Sequence, residues 1–263
     1  LFPYTTLFRS LSEKAQVVIL IDEYDKPIID YLDDLDQAEK NRKILKNFYS
    51  ILKDLDKNIR FLFITGVSKF SKVSIFSDLN NLTDITIDEN FSKIVGWTKE
   101  EILQYFPDYL KRLEEKYKAW FPDITKEIIT WYNGYSWDGI SRLFNPVSIM
   151  NLLIKRDFRN YWFTTGTPTF LMQLIKDGDY TVFDIENSYT STKILDKYDF
   201  KNINLISLLF QTGYLTIGTK DLRTGRIKLR YPNREVDESF SEHIVSSLTG
   251  VQLDITQSLL FKI

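Results

Sequence analysis

The chain has 263 residues, of which 43% are hydrophobic and 15% aromatic, enough for one large domain or for a medium domain with a small one. The absence of cysteine excludes disulfides and thiolate metal sites, and the single histidine, His243, leaves few histidine-based mechanisms. A net charge of −2 gives no support for a general nucleic-acid or membrane surface. No apolar run approaches a membrane span and no signal-peptide pattern opens the chain, so we expect a cytoplasmic protein without a membrane partner.

The first ten residues, "LFPYTTLFRS", show neither clean alternation nor a helical stripe. They correspond codon for codon to the translation of a common sequencing adapter, and we interpret residues 1–10 as a processing artefact. The alternative is a natural β-strand leader. Under the adapter interpretation, the natural protein extends further upstream and this chain is a fragment.

The stretch "VVILIDEYDKP", residues 17–27, predicts a strand that is buried on both faces and ends in adjacent carboxylates. Asp22 and Glu23 follow its last apolar residue, and Asp25 lies two residues further, where it is interpreted as a cap for the following segment. Carboxylates at the end of a buried strand are typical ligands of a hard metal ion or activators of a water molecule.

A long helix is predicted over residues 37–56, followed by a second apolar strand, "IRFLFITG", over residues 59–66. The predicted buried face of the helix consists of Ile44, Leu45, Phe48, Ile51, Leu52 and Leu55. Strand, helix and strand in this order predict a parallel sheet, whose ligands bind at the carboxyl ends of the strands. Thr65, Ser68 and Lys69 follow the second strand, so they are expected beside Asp22 and Glu23.

The middle of the chain is predicted to be mostly helical. Residues 98–117 form one predicted helix, with Thr98 as N-cap and Glu101 at the capping-box position. Residues 125–139 predict a helix ending at Gly134 and then an aromatic hairpin, and further helices are predicted from Pro146 and over residues 167–178. Four aromatic residues of this region are interpreted as core rather than as a base-stacking platform. They are Trp131, Tyr132, Tyr135 and Trp137.

The last sixty residues predict a separate small unit. Residues 204–217 form a helix, a break at Gly213 and a strand; a hairpin and an amphipathic helix follow, the order of a winged-helix module. Five basic residues surround the hairpin and could meet phosphates, although a solvated charged hairpin is the preferred interpretation. They are Arg223, Arg226, Lys228, Arg230 and Arg234. Asp237, Glu238 and Glu242 on the next helix would oppose an anion.

A buried strand ending in Asp-Glu beside a polar-tipped strand is the Walker B and sensor arrangement of P-loop ATPases. The wider blocks extend the pattern: "VVILIDEYDKPI", "RFLFITGVSKFSKVSIFSDLNNLTDITID", "WYNGYSW", "NYWFTTGTPTFLMQLI", "LLFQTGYLTI" and "LRYPNREV". In this order they resemble the bacterial AAA-ATPase-like family, whose members often carry a C-terminal PD-(D/E)XK-type nuclease domain. The resemblance covers residues 11 to about 250.

The resemblance implies Mg²⁺ and ATP as cofactors. It places Asp22 at the metal and Glu23 at the attacking water, and it puts Thr65 or Ser68 in the sensor region and Lys69 at the γ-phosphate. It implies an α/β fold, with a partial P-loop NTPase parallel sheet and flanking helices, then a helical region and a winged-helix-like C-terminal unit. The predicted divisions are residues 1–10 (artefact), 11–95 (ATPase core), 96–200 (helical region with the aromatic hairpin), 201–250 (winged-helix-like unit) and 251–263 (tail).

One element of the family pattern is missing from the sequence, since no G-x-x-x-x-G-K-[ST] occurs in it. The family carries this phosphate-binding loop upstream of the Walker B strand, in the region that the adapter-like residues replace. We therefore expect the parent protein to be an ATPase and this chain alone to bind Mg²⁺·ATP weakly or not at all.

Two other function classes remain open. One is a binding or scaffold module that contacts DNA or protein through the winged-helix-like end. The other is a metal-dependent nuclease built on Asp22, Glu23, Asp25 and Lys26, which is less favoured because nuclease carboxylates normally come from separate strands.

Overall fold

The computed structural model describes most of the chain, as a mixed α/β protein with small sheets among its helices. The described residues are 16–32, 34–67, 75–76, 81–162, 169–178, 185–186, 188–191, 195, 204–221 and 223–249. Two compact units are present: Leu1–Thr83 with Asp196–Asn204, and Asp84–Leu195 with Leu205–Ile263. The functional divisions drawn from the sequence stay predictions.

In the first unit, two strands and two helices form a strand–helix–strand arrangement. They are β1 (Val17–Ile21), α1 (Lys26–Ile29), α2 (Leu35–Asp54) and β2 (Ile59–Ile64). The strands are parallel neighbours, with Val18 opposite Phe61 and Ile21 opposite Ile64. Parallel neighbours need a crossover connection, which α2 supplies, so the predicted parallel pair is confirmed.

One face of the β1–β2 pair packs on a core built with α1 and α2, and the other face is exposed. Val17, Ile19 and Ile21 lie against this core. On the opposite face, Val18 is 53% exposed and Leu20 is 70% exposed. Because alternate side chains of a strand point to opposite faces, only one set can reach the helices. The prediction that this strand is buried on both faces is wrong.

Four of the six side chains on the predicted buried face of helix α2 pack on the core of the first unit. The core-facing side chains of the helix and its C-terminal cap are Ala38, Leu45, Phe48, Tyr49, Leu52 and Leu55. Ile44 is 66% exposed, although it lies only about 40° around the helix from the core-facing Phe48. The prediction that Ile44 shares the buried face is wrong.

The second unit contains further helices and two more sheets. Its elements are α3 (Lys99–Tyr105), α4 (Pro107–Tyr117), α5 (Ile124–Tyr132), β3 (Asn133–Tyr135), β4 (Leu143–Phe144), α6 (Pro146–Lys155), α7 (Thr169–Asp177), β5 (Tyr189–Ser191), α8 (Leu205–Gln211), β6 (Thr216–Lys220), β7 (Arg226–Arg230) and α9 (Arg234–Thr249). β3 and β4 form an antiparallel pair, and β5, β7 and β6 form an antiparallel sheet with β7 in the centre. Within the described ranges, no helix is long and apolar enough to span a bilayer.

The helix predicted over residues 98–117 is two helices. Its start is as predicted: the Thr98 hydroxyl accepts from the Glu101 N–H at 3.2 Å, and the Glu101 carboxylate accepts from the Thr98 N–H at 2.8 Å. α3 ends before Phe106, and α4 begins at Pro107. Proline has no amide hydrogen and disfavours the helical conformation of the preceding residue, so the continuous helix is wrong.

The four aromatic residues predicted as core are packed in the interior of this unit. Tyr132 is fully buried and Tyr135 is 9% exposed. Trp131 and Trp137 are partly buried against two core clusters. The core interpretation is confirmed, because all four rings belong to or pack against the buried clusters of this unit.

The later helix signals are also confirmed where the structure describes them. The Asn145 side chain accepts from the N–H of Val147 at 2.9 Å, and Pro146 occupies the first turn of α6. α7 ends directly before Gly178, as predicted, whereas Pro168 lies outside the described residues.

The C-terminal elements follow the predicted order of helix, hairpin and helix. Gly213, with a φ of 84°, lies between α8 and β6, as predicted. The hairpin belongs to a larger sheet, because β5 pairs with β7 and places Tyr189 opposite Lys228. The winged-helix-like assignment depends on element order alone and stays a prediction.

The segment between β3 and β4 is fastened to β6. The Ser136 N–H donates to the Thr216 hydroxyl at 2.7 Å. The Arg142 guanidinium donates to the carbonyls of Ile217 at 2.6 Å and Gly218 at 2.7 Å. These bonds join the aromatic hairpin to the three-stranded sheet.

Candidate functional site

The candidate site lies at the carboxyl ends of β1 and β2. Because the two strands are parallel, the residues that follow them lie at the same edge. The Thr65 N–H donates to the Ile21 carbonyl at 2.8 Å, and the Tyr24 N–H donates to the Thr65 carbonyl at 3.0 Å. The backbone pairing thus continues past the strands and holds the two strand ends together.

Asp22 and Thr65 are in direct contact at this edge. The Thr65 hydroxyl donates to Asp22 Oδ1 at 2.5 Å, and the Glu23 N–H donates to the same oxygen at 2.9 Å. Asp22 is exposed, and within the described part of the chain its Oδ2 accepts no hydrogen bond. Among the described residues, the carboxylate is therefore held through one oxygen, and its other oxygen is left for a cation or a water molecule.

Glu23 has a backbone conformation that is rare for a residue with a side chain. Its φ is 52°, in the left-handed region, and its carbonyl accepts from the Lys26 N–H at 3.0 Å. Its side chain is exposed and forms no hydrogen bond or ion pair with the residues that the structure describes. Strained conformations of this kind cluster at functional sites, so the conformation of Glu23 supports a functional hypothesis for it.

The structure gives the Asp25 side chain a different role from the predicted one. It is fully buried, and its Oδ1 accepts from the Val67 N–H at 3.1 Å. Asp25 occupies the N-cap position of α1, as predicted, but its side chain forms no capping hydrogen bond there. Burial raises the pKa of Tyr49 to about 12, and the negative charge of Asp25 contributes to this shift. Asp25 therefore ties the loop after β1 to the loop after β2.

Gly66 lets these two loops approach each other. A Cβ at this position would lie 2.5 Å from the Tyr24 ring and 2.6 Å from Asp25 Oδ1. No L-amino acid with a side chain fits this space without a shift of the neighbours. The signal in the sequence is a glycine two residues after the end of β2, a position where close backbone approach is typical.

Replacing Asp25 by alanine is expected to destabilise the protein by about 2–3 kcal/mol, since a buried charge-assisted hydrogen bond to Val67 is lost. Asp54→Ala, an exposed change in the same unit, is the matched control and should stay within about 0.5 kcal/mol. Urea unfolding of both variants measures the difference. Equal midpoints for the two variants would contradict the structural role of Asp25.

The acidic residues do not gather around a common point. In the residues covered by the structure, no three His, Cys, Asp or Glu side chains form a group that could hold a metal ion. Asp25 is engaged with Val67, and the Lys26 ammonium pairs with Asp30 at 3.0 Å. A cation here would be held by Asp22 with water as its other ligands, which fits Mg²⁺ because this ion usually keeps several waters.

Two predicted site residues, Ser68 and Lys69, lie outside the described residues. The structure therefore brings together Asp22, Glu23 and Thr65 from the predicted set. The roles given to Ser68 and Lys69 stay predictions.

Part of the chain matches a protein-family model. Residues 5–76, which contain both strands and their polar ends, match the model of the family described as "Predicted AAA-ATPase". The matched range includes part of the segment interpreted as an adapter artefact, and that interpretation stays a prediction.

A longer relative shares most of the chain. It is described as "Uncharacterized protein in vnfD 5'region" of Azotobacter chroococcum mcd 1, and it is 42% identical over 233 residues. The aligned part is 88% of this chain and 43% of the relative, so the chain spans less than half of that protein's length. No solved structure matches the chain.

Proposed function

We propose that Asp22 and Glu23 form the acidic part of a site that hydrolyses Mg²⁺-bound ATP. One observation carries this proposal: the Asp22–Thr65 hydrogen bond of 2.5 Å joins two parallel strand ends inside the segment that matches the predicted AAA-ATPase family. This bond orients an exposed carboxylate at the edge where parallel sheets bind their ligands.

In the proposed site, Asp22 holds Mg²⁺ through its water shell. Thr65 fixes the rotamer of Asp22 and lies where a sensor residue would respond to the γ-phosphate. Ser68 is a second candidate for that sensor position, and Lys69 is assigned to the γ-phosphate itself. Bound Mg²⁺ supplies charge that neutralises the phosphate oxygens as the terminal phosphoryl group departs.

Glu23 is assigned to the attacking water. Its carboxylate accepts the proton of the water that attacks the γ-phosphorus, while the bond from that phosphorus to the β–γ bridging oxygen breaks, giving ADP and phosphate. The exposed side chain of Glu23 has no competing partner among the described residues, which leaves it available for this role.

The phosphate-binding loop is assigned to a part of the full-length protein outside these 263 residues, because the sequence contains no G-x-x-x-x-G-K-[ST]. Backbone amides and the lysine of such a loop supply much of the affinity for nucleotide. The experiment therefore uses the full-length protein.

Replacing Asp22 by asparagine in the full-length protein is expected to raise the Mg²⁺ concentration for half-maximal ATP turnover by roughly 10- to 100-fold. Asparagine keeps an oxygen for Thr65 but removes the charge that attracts the metal's waters. A Mg²⁺ titration of phosphate release measures the change.

Asp54→Asn is the control, since Asp54 is exposed at the end of α2, away from the strand ends. It should leave the Mg²⁺ titration unchanged. If Asp22→Asn gives the same titration as this control, Asp22 does not hold the metal. If the full-length protein does not turn over ATP at all, the binding or scaffold interpretation replaces the enzyme.

A further inference from the structure

The three-stranded sheet of the second unit carries a row of basic side chains on its central strand. Along β7, Ile227 and Leu229 are fully buried, whereas Arg226 and Arg230 are exposed and Lys228 is half-buried. Because alternate residues share a face, the three cations lie on one side of the sheet, about 7 Å apart along the strand. We call this surface the basic face.

The basic face has an acidic neighbour, Asp221, whose pKa is lowered mainly by hydrogen bonds from Thr224 and Arg223 and further by the charge of Arg226. Within the described ranges, Arg226, Lys228 and Arg230 form no ion pair, although Lys220 of the adjacent strand pairs with Glu89 at 3.4 Å. The whole chain has 34 basic and 36 acidic residues, so acidic partners are not scarce. Neighbouring like charges repel each other, and they concentrate a positive potential that favours an anionic ligand.

Arg142 adds a fourth positive charge close to the end of this row. Its guanidinium is fixed by the carbonyls of Ile217 and Gly218 on β6. Burial lowers the pKa of Arg142 and the nearby charge of Arg230 lowers it further, while the carboxylate of Asp138 acts in the opposite direction. The repulsion between these two guanidinium groups would be relieved by an anion bound beside them.

The strand on the other side of β7 supplies an exposed aromatic ring. Tyr189 of β5 lies directly opposite Lys228 and is 67% exposed, and Ser191 lies opposite Arg226. Thr190, between them, is buried, so Tyr189 and Ser191 share the face of the basic row. An accessible ring beside a row of cations is the combination with which proteins bind single strands, where bases stack and phosphates pair with cations.

We propose that the basic face binds a single-stranded nucleic acid, with phosphates on Arg226, Lys228 and Arg230 and a base stacked on Tyr189. A duplex is a poorer ligand, because its base faces are already stacked and cannot reach a tyrosine ring on a sheet. Binding on this face does not require nucleotide hydrolysis. Absence of ATP hydrolysis would therefore contradict only the proposed function, and absence of single-strand binding would contradict only the present proposal.

The test is fluorescence anisotropy of the full-length protein with a labelled oligo(dT) of about 20 nucleotides. Neutralising Arg226, Lys228 and Arg230 together to glutamine should weaken binding at least tenfold at low salt. It should also reduce the slope of log K against log salt by about 2, since each lost phosphate contact accounts for about 0.7 on a single strand.

The charge-matched control neutralises three exposed lysines of the first unit. These are Lys40, Lys53 and Lys57, each changed to glutamine. This control should bind like the natural protein, and circular dichroism should show that both triple variants are folded. Absent binding by the natural protein, or equal affinity of the two triple variants, would overturn the proposal.

Substitutions of Tyr189 distinguish a nucleic acid from any other polyanion as the ligand of the basic face. Tyr189→Leu should weaken oligo(dT) binding about tenfold, and Tyr189→Phe should restore it, because stacking needs a ring but not a hydroxyl. Heparin, which has no bases, should compete equally well for the natural protein and for Tyr189→Leu. Unchanged oligo(dT) affinity in Tyr189→Leu, or a duplex bound as tightly as the single strand, would contradict a single-strand site.

Discussion

Replacing Glu23 by glutamine in the full-length protein is expected to lower ATP turnover by roughly 10²- to 10⁴-fold while ATP still binds. Glutamine has nearly the same shape as glutamate, so the left-handed backbone of residue 23 and its N–H bond to Asp22 are retained. Under the proposed function, the substitution removes the group that would accept the proton of the attacking water. Phosphate release under saturating Mg²⁺·ATP and calorimetric ATP binding together measure the two effects.

Glu115→Gln is the matched control, because Glu115 is an exposed glutamate of α4 in the other compact unit. Its turnover should equal that of the natural protein. Asp22→Asn provides a second comparison, since loss of the proposed metal ligand should also weaken Mg²⁺-dependent nucleotide binding. Turnover that is unchanged in Glu23→Gln would remove Glu23 from the proposed role at the attacking water, whatever the metal titration shows.

The parts of the fold that the sequence predicted correctly depend on chemistry close along the chain. The capping box of Thr98 and Glu101 spans three residues, and Pro146 with Asn145 begins α6 through contacts within one turn. The break at Gly213 follows from one positive φ. Such signals need no knowledge of the rest of the molecule.

The errors come from contacts between distant parts of the chain or from competing local signals. The apolar side chain of Ile44 predicts a core position, but the direction of the core is set by the strands that α2 packs against. Around Pro107 the helical spacing of apolar residues continues without interruption. This spacing predicts one helix, although the steric effect of proline ends the first helix and is the stronger of the two. β5 has only three residues and is defined by its pairing with β7, which lies nearly forty positions later in the chain.

The candidate site, like the fold, was predicted correctly only where local patterns determine it. The meeting of Asp22 with Thr65 follows from the parallel strand pair, which the sequence predicted. The left-handed conformation of Glu23 and the burial of Asp25 were not predictable, since both depend on a loop about 42 residues away. An acidic run such as "DEYD" does not say which carboxylate faces solvent and which is part of the scaffold.

Replacing Gly134 by alanine is expected to destabilise the protein by more than about 3 kcal/mol, although the change adds only one methyl group. Gly134 has a φ of 144°, and a Cβ on it would lie 1.8 Å from the Pro232 carbonyl oxygen. Backbone atoms cannot yield like the end of a flexible side chain. The strand β3 would have to separate from the segment before α9, and this movement would strain the hydrogen bonds between Ser136 and Thr216.

Gly225→Ala is the control that measures the cost of a positive φ without a steric clash. Gly225 also has a positive φ, 69°, but a Cβ there would meet nothing within 4 Å, so its cost should be about 1–2 kcal/mol. In urea unfolding and thermal melting, the unfolding midpoint of Gly134→Ala should lie well below that of Gly225→Ala. Comparable midpoints would mean that β3 and the Pro232 segment can move apart at little cost, and the aromatic hairpin would then not be rigidly fastened to the sheet that carries the basic face.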